Sequence, residues 1–158
     1  MATYKSTIPL APGPRKTGAV VQSALEASAQ TFPAGCLLIK SAGSIQMHTT
    51  SHVSVNIYGI AMNSGKSGSA DGVKTNAFFR AERDRLYKGA VSGSIAQSQM
   101  GNTVALSQNT AGAVFVVTAA TASDSSVANV VGFAEGCTAS DTNPIVYFTF
   151  VSTKIQEG

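Results

Sequence analysis

Charge is what this sequence has least of. Asp, Glu, Lys and Arg make up 12% of its 158 residues, against roughly a quarter in an ordinary soluble domain. Coiled coils and long surface helices, which are rich in Glu, Lys and Arg, are excluded by that scarcity. Intrinsic disorder is excluded as well, because 44% of the residues are apolar and the net charge is only +3. There is no Trp, and the four Tyr and seven Phe do not interleave with basic runs. Eleven basic residues against eight acidic ones do not make the many phosphate contacts on which nucleic-acid binding rests. No segment approaches the ~18 consecutive apolar residues of a membrane span. No apolar run follows Met1-Ala2-Thr3-Tyr4-Lys5, so no secretory signal is expected. Neither a nucleic acid nor a membrane is therefore an expected partner.

Cysteine is nearly as scarce. Cys36 and Cys137 are too few for a disulfide framework and lack metal-ligand spacing. They read as two small apolar side chains in a reducing compartment, or as one bridge closing a loop of about 100 residues.

What is present is Ser and Thr, about a fifth of the chain, with 15 Gly. The length suits one domain, and the apolar fraction suits a core without staples. Residues 1–31 differ from the rest. Ile8-Pro9-Leu10-Ala11-Pro12-Gly13-Pro14 holds three of the five prolines, which excludes helix and central strand. This stretch predicts an extended arm, with two or three helical turns over Val20–Ala29 carrying Val21, Ala24 and Leu25 on one side.

From Phe32 to residue 158 the pattern predicts a single β domain. Short β-like runs fall at Cys36–Lys40, Ser44–Thr49, Val53–Met62, Asn76–Glu82, Leu86–Ser92, Thr103–Ser107, Ala113–Ala119, Val127–Ala134 and Ile145–Thr153. Val53, Val55 and Ile57 alternate with polar residues, which marks a half-buried strand. Ile145-Val146-Tyr147-Phe148-Thr149-Phe150-Val151 is apolar on both faces and predicts a central strand. Gly, Asn, Ser and Pro clusters punctuate the runs at intervals of about ten residues. The expected architecture is all-β: a barrel or sandwich of short antiparallel strands with an extended N-terminal arm.

Motifs that suggest chemistry do not survive inspection. Asn63-Ser64-Gly65-Lys66-Ser67 ends like a phosphate loop, but its first required Gly is Ile60 and a flexible Gly/Ser stretch follows where a helix should begin. His48 and His52 lie four apart in a β context, which places them about 13 Å from each other on a continuous strand, too far to chelate. No carboxylate or Cys adjoins them to complete a metal site. Asp141-Thr142-Asn143-Pro144 is a turn in which Asp and Asn cap their own backbone, and its acids are too few for calcium. No Gly-x-Ser-x-Gly elbow occurs. Glu82 and Asp84 have Arg neighbours that keep both ionised, which disqualifies either as a general acid. No catalytic residue, metal or cofactor is predicted, and the chain does not read as an enzyme.

One stretch departs from the low-charge rule. Lys66 to Lys88 holds six of the 11 basic residues, and Arg80-Ala81-Glu82-Arg83-Asp84-Arg85 is a charge run. It reads either as a solvated turn whose charges cancel or as an inter-subunit contact in which Arg forks bind carboxylates or carbonyls.

The order of several short motifs resembles tailed-bacteriophage head decoration (cement) proteins. These are the N-terminal arm, Phe32-Pro33-Ala34-Gly35, Tyr58-Gly59-Ile60-Ala61-Met62, Val131-Gly132-Phe133-Ala134, and Asp141-Thr142-Asn143-Pro144-Ile145-Val146-Tyr147-Phe148. The similarity runs from about Phe32 to the C-terminus. The Gly-rich stretch Asn63–Gly72 has no counterpart in the pattern. The resemblance implies a β-barrel or sandwich that coats the outer surface of a capsid, often as a homotrimer, and binds the major capsid protein and sister subunits. It carries over no catalytic residues. Under that reading Tyr4, Ile8 and Leu10 are expected arm anchors, and Arg80, Arg83 and Arg85 polar contacts. The virion's outer surface would then be its place, after assembly in the host cytoplasm. A competing reading is a carbohydrate- or receptor-binding β module of a fibre or spike, which the lack of Trp disfavours. A small enzyme is the third.

Overall fold

A computed structural model describes residues 8–9, 21–48, 52–53, 57–66, 69–83, 85–108, 111–112, 114–117, 126–134, 136–151, 153 and 155–156. Two antiparallel sheets pack together as a β-sandwich, and no α-helix occurs among the described residues. The strands are β1 (Ile8–Pro9), β2 (Val21–Leu25), β3 (Leu37–Ser41), β4 (Ser44–Met47), β5 (His52–Val53), β6 (Gly59–Ala61), β7 (Thr75–Arg80), β8 (Tyr87–Ala90), β9 (Thr103–Gln108), β10 (Val114–Val117), β11 (Ser126–Phe133) and β12 (Ile145–Phe150).

The larger sheet runs β1-β8-β12-β11-β9-β10, with β5 added against β9. As its sequence predicts, β12 is interior to this sheet, between β8 and β11. Val146, Phe148 and Phe150 point into the core, where Phe148 and Phe150 meet Tyr87 at centroid distances of 5.8 and 4.6 Å. Such offset aromatic contacts add stabilisation beyond the area they bury. Leu37 and Ile60 of the smaller sheet join the same cluster, so this core is the seam between the layers.

The smaller sheet runs β2-β7-β6-β3-β4. Its other face carries a second cluster: Phe32, Cys36, Leu38, Ile45, Tyr58, Ala61 and Phe78. Both sheets curl until their ends meet. Glu26, next after β2, bridges Ile45 of β4, and Val91, next after β8, bridges Val116 of β10. Each closure rests on backbone hydrogen bonds: the Ala27 amide donates to the Ile45 carbonyl at 2.9 Å, and the Ser92 amide to the Val116 carbonyl at 2.8 Å.

The helical turns expected over Val20–Ala29 are absent. Val21–Leu25 is instead strand β2, paired residue by residue with Phe79 down to Thr75 of β7. The spacing misleads because residues four apart share a face in both a helix and a strand. A short isolated helix is marginal in water, whereas a strand here gains a ladder and a ready-made apolar neighbour. Of the arm itself, Ile8 and Pro9 pair antiparallel with Lys88 and Tyr87 of β8. Tyr4 and Leu10 lie outside the described residues, as does the side chain of Ile8.

Cys36 and Cys137 are both free thiols, so the expectation of two reduced side chains holds and the bridge does not form. Burial pushes the Cys36 thiol up to about 12, an unreactive value.

Candidate functional site

The arrangement with chemical potential is built on three strands of the smaller sheet. β3, β6 and β7 lie side by side, and Leu38, Gly59 and Arg80 align in one row across them. The usual in-and-out alternation slips at Tyr58–Gly59, so that the Tyr58 ring enters the second cluster and meets Phe78 in a tilted contact at 5.1 Å. Only Gly admits this arrangement at position 59. A Cβ there would sit 2.5 Å from Phe78 Cδ2 and 2.6 Å from the Phe79 carbonyl oxygen.

Two cations cover the Tyr58 ring. Lys40 Nζ lies 5.2 Å from its centroid and Arg80 Cζ 4.8 Å. The ring itself is 6% exposed, while both cationic side chains are half-buried. The electron-rich faces of the aromatic ring favour either charge. Neither Lys40 nor Arg80 has a carboxylate ion-pair partner among the described residues.

Gln156 organises the pair. Its side-chain Oε1 accepts the Lys40 amide at 2.9 Å, and its Nε2 donates to the Lys40 carbonyl at 2.8 Å. Its own carbonyl accepts from Arg80 Nη2 at 3.4 Å, and Gln22 Oε1 accepts from Nη1 at 3.4 Å. The guanidinium has five N–H donors, and these two bonds are long. A fork with spare donors and a nearby ammonium is an arrangement that receives an anionic oxygen.

The three candidate arginines therefore have different fates. Arg80 is half-buried on Tyr58, and Arg83 is exposed. Arg85 is 2% exposed and pairs within its own chain, its Nε donating to Glu82 Oε2 at 2.7 Å. The nearby Tyr87 hydroxyl accepts from the Glu82 amide and donates to the Arg80 carbonyl, so this turn is pinned from inside. The reading of this segment as a solvated turn is thus corrected at Arg85, whose charge lies inside the fold.

A second polar constellation is structural. Glu26 is 1% exposed, and both its carboxylate oxygens accept the Lys66 amide, at 3.1 and 2.9 Å. The buried Asn76 donates to Glu26 Oε1 at 2.6 Å and to the Ser64 carbonyl at 2.9 Å. Lys66, in the Gly-rich stretch after β6, is thus held by a carboxylate of the chain itself. The Lys66 amide, which a phosphate loop would aim at a ligand, is already engaged. His48 is buried, and the described residues hold no cluster of three His, Cys, Asp or Glu side chains suited to a metal.

Sequence reading named Arg80 but missed Lys40, Tyr58, Gln156 and Glu26. A signal existed for the last: Gln22, Ala24 and Glu26 continue one face of a strand, and Glu26 is the sole acidic residue before Asp71. Tyr58, Lys40 and Gln156 are brought together by pairing across strands far apart in sequence, which no local pattern reports. No family model, curated protein or solved structure matches this chain.

Proposed function

We propose that the chain is a structural virion protein, a decoration subunit that coats and stabilises a phage capsid by binding the major capsid protein and sister copies, as a homotrimer. The observation that supports this most is an apolar edge on the smaller sheet. Val21 and Leu25 of β2 and the neighbouring Val73 are 51%, 45% and 54% exposed. A Cβ on Gly72 would lie 3.5 Å from Leu25 Cδ1, which places Leu25 beside this loop. Large apolar side chains grouped along an edge strand favour burial against another protein. The scarcity of charge agrees, since interface cores are depleted in Lys, Glu and Asp. Ile8–Pro9 on the β8 ladder gives the N-terminal arm a fixed point from which to extend.

Light scattering after size exclusion should give a trimer, or a monomer that trimerises on shells. Cosedimentation with shells of the major capsid protein from the same genome is the deciding measurement. Removal of residues 1–14 should weaken that binding and leave the sandwich folded by circular dichroism. Equal binding by the truncated chain would overturn the role of Tyr4, Ile8 and Leu10. Retention on a glycan array without binding to shells would replace this reading with a carbohydrate- or receptor-binding module.

A further inference from the structure

We propose that Lys40 and Arg80, held on the Tyr58 ring, form a receptor for a carboxylate presented by an acidic segment of a partner protein. The inference deepens the capsid-binding reading and rests on it for the identity of the partner, but the site has a chemistry of its own.

Three features point to an anion. Two cations share one ring without a carboxylate partner among the described residues, so an opposite charge arriving there is attracted by both. Both are half-buried, so an ion pair made there is screened less by salt than one at the open surface. The Gln156 amide fixes the Lys40 backbone at both its N–H and its C=O, and the Gln156 carbonyl holds Arg80 from the same side. The Arg80 guanidinium and the backbone that carries Lys40 are therefore positioned before any ligand binds, which lowers the entropy lost on binding.

A carboxylate fits this pair better than a spherical anion. Its two oxygens match the planar fork of Arg80, and Lys40 adds a point charge to the side. Gln22, half-buried beside the guanidinium, carries an amide that is both donor and acceptor and keeps the fork oriented.

The test uses the isolated chain with hexaglutamate and, separately, inorganic phosphate as probes. Arg80 Nε and the Tyr58 ring are followed by NMR. Hexaglutamate should shift both resonances saturably, with affinity falling as salt rises. Lys40→Gln and Arg80→Gln should each weaken it at least tenfold. Arg80→Lys, which keeps the charge and loses the fork, should weaken it several-fold and guards against an unfolded Gln variant. Lys74→Gln, at an exposed lysine, should leave binding unchanged. Unshifted Arg80 and Tyr58 resonances would overturn the proposal, as would an equal loss in Lys74→Gln. Phosphate binding as tightly as hexaglutamate would replace the acidic segment with a small anion. If the variants bind shells like the unaltered chain, the site fails and the capsid reading stands. If the chain binds hexaglutamate but no shells, the reverse holds.

Discussion

Gln156 closes on Lys40 with both ends of its side-chain amide, at 2.9 and 2.8 Å, as if it were one more residue of a neighbouring strand. Beside it, Ile155 bridges Ile57, and the Gln156 amide donates to the Ile57 carbonyl at 2.9 Å. A residue near the C-terminus thus supplies pairing that β3 would otherwise lack.

Replacing Gln156 by Ala should cost about 1–2 kcal/mol, the net worth of two hydrogen bonds to half-buried backbone groups. Thermal unfolding should register a drop of about 2–8 °C for a chain of this size. Glu at 156 should rescue little, because it keeps an acceptor for the Lys40 amide and has no donor for the Lys40 carbonyl.

Glu26→Ala should be more damaging, by roughly 2–3 kcal/mol, since it removes one of two acceptors of the buried Asn76 amide and the acceptor of the Lys66 N–H. Urea denaturation would measure this as a lower midpoint. A midpoint equal to that of the unaltered chain would show that the loop folds without its carboxylate.

Gly112→Ala is expected to destabilise by about 2–4 kcal/mol. The residue has φ +83°, and a Cβ would lie 2.6 Å from Pro33 Cγ and 3.3 Å from Cys36 Cβ. Chemical denaturation of this variant beside Gly43→Ala separates the two causes. Gly43 has a similar φ of +84° but open space around it, so its loss should be the smaller.

Alkali should destabilise the fold in a predictable window. The Cys36 thiol is raised from 9.0 to about 12 and the Tyr87 phenol from 10.0 to about 12, both chiefly by burial. Below about pH 9 both groups are protonated, folded or unfolded, and this stability is fully present. Above it the unfolded chain releases protons that the folded chain retains, so stability falls progressively toward pH 12. Cys36→Ala should flatten that fall between pH 9 and 10, as read by denaturation midpoints. Thiol labelling at pH 8 should modify the half-buried Cys137 first and Cys36 far more slowly.

Much of the strand pattern was legible in the chain. The runs at Cys36–Lys40, Asn76–Glu82, Thr103–Ser107 and Ala113–Ala119 overlie β3, β7, β9 and β10 within a residue or two. Gly, Asn and Pro mark many of the strand ends, though not the β7–β8 turn, and alternation marks faces. Asn143, for example, takes a φ of +55° while its Oδ1 accepts the Gly93 amide at 2.9 Å. Val53–Met62 reads as one strand, but Val53 ends β5 on the larger sheet and Gly59–Ala61 is β6 on the smaller, while Val55 lies outside the described residues. Continuous β character does not show where a chain changes sheets. Buried polar residues were the least legible. Gln108 of β9 donates to the His48 carbonyl and accepts the Leu37 amide, tying one sheet to the other. Its letter looks like any surface residue, because its partners are 60 and 71 residues away.

The closure of the smaller sheet at Glu26–Ile45 acts as a clasp. The ladders on either side of it run over several residues, yet the clasp is a single bridge. Opening it requires far less than melting the sandwich. Cys36 lies in the cluster enclosed by that sheet, together with Ile45. Its slow reaction with a thiol reagent therefore times how often the clasp comes undone, and Glu26→Ala should quicken that clock.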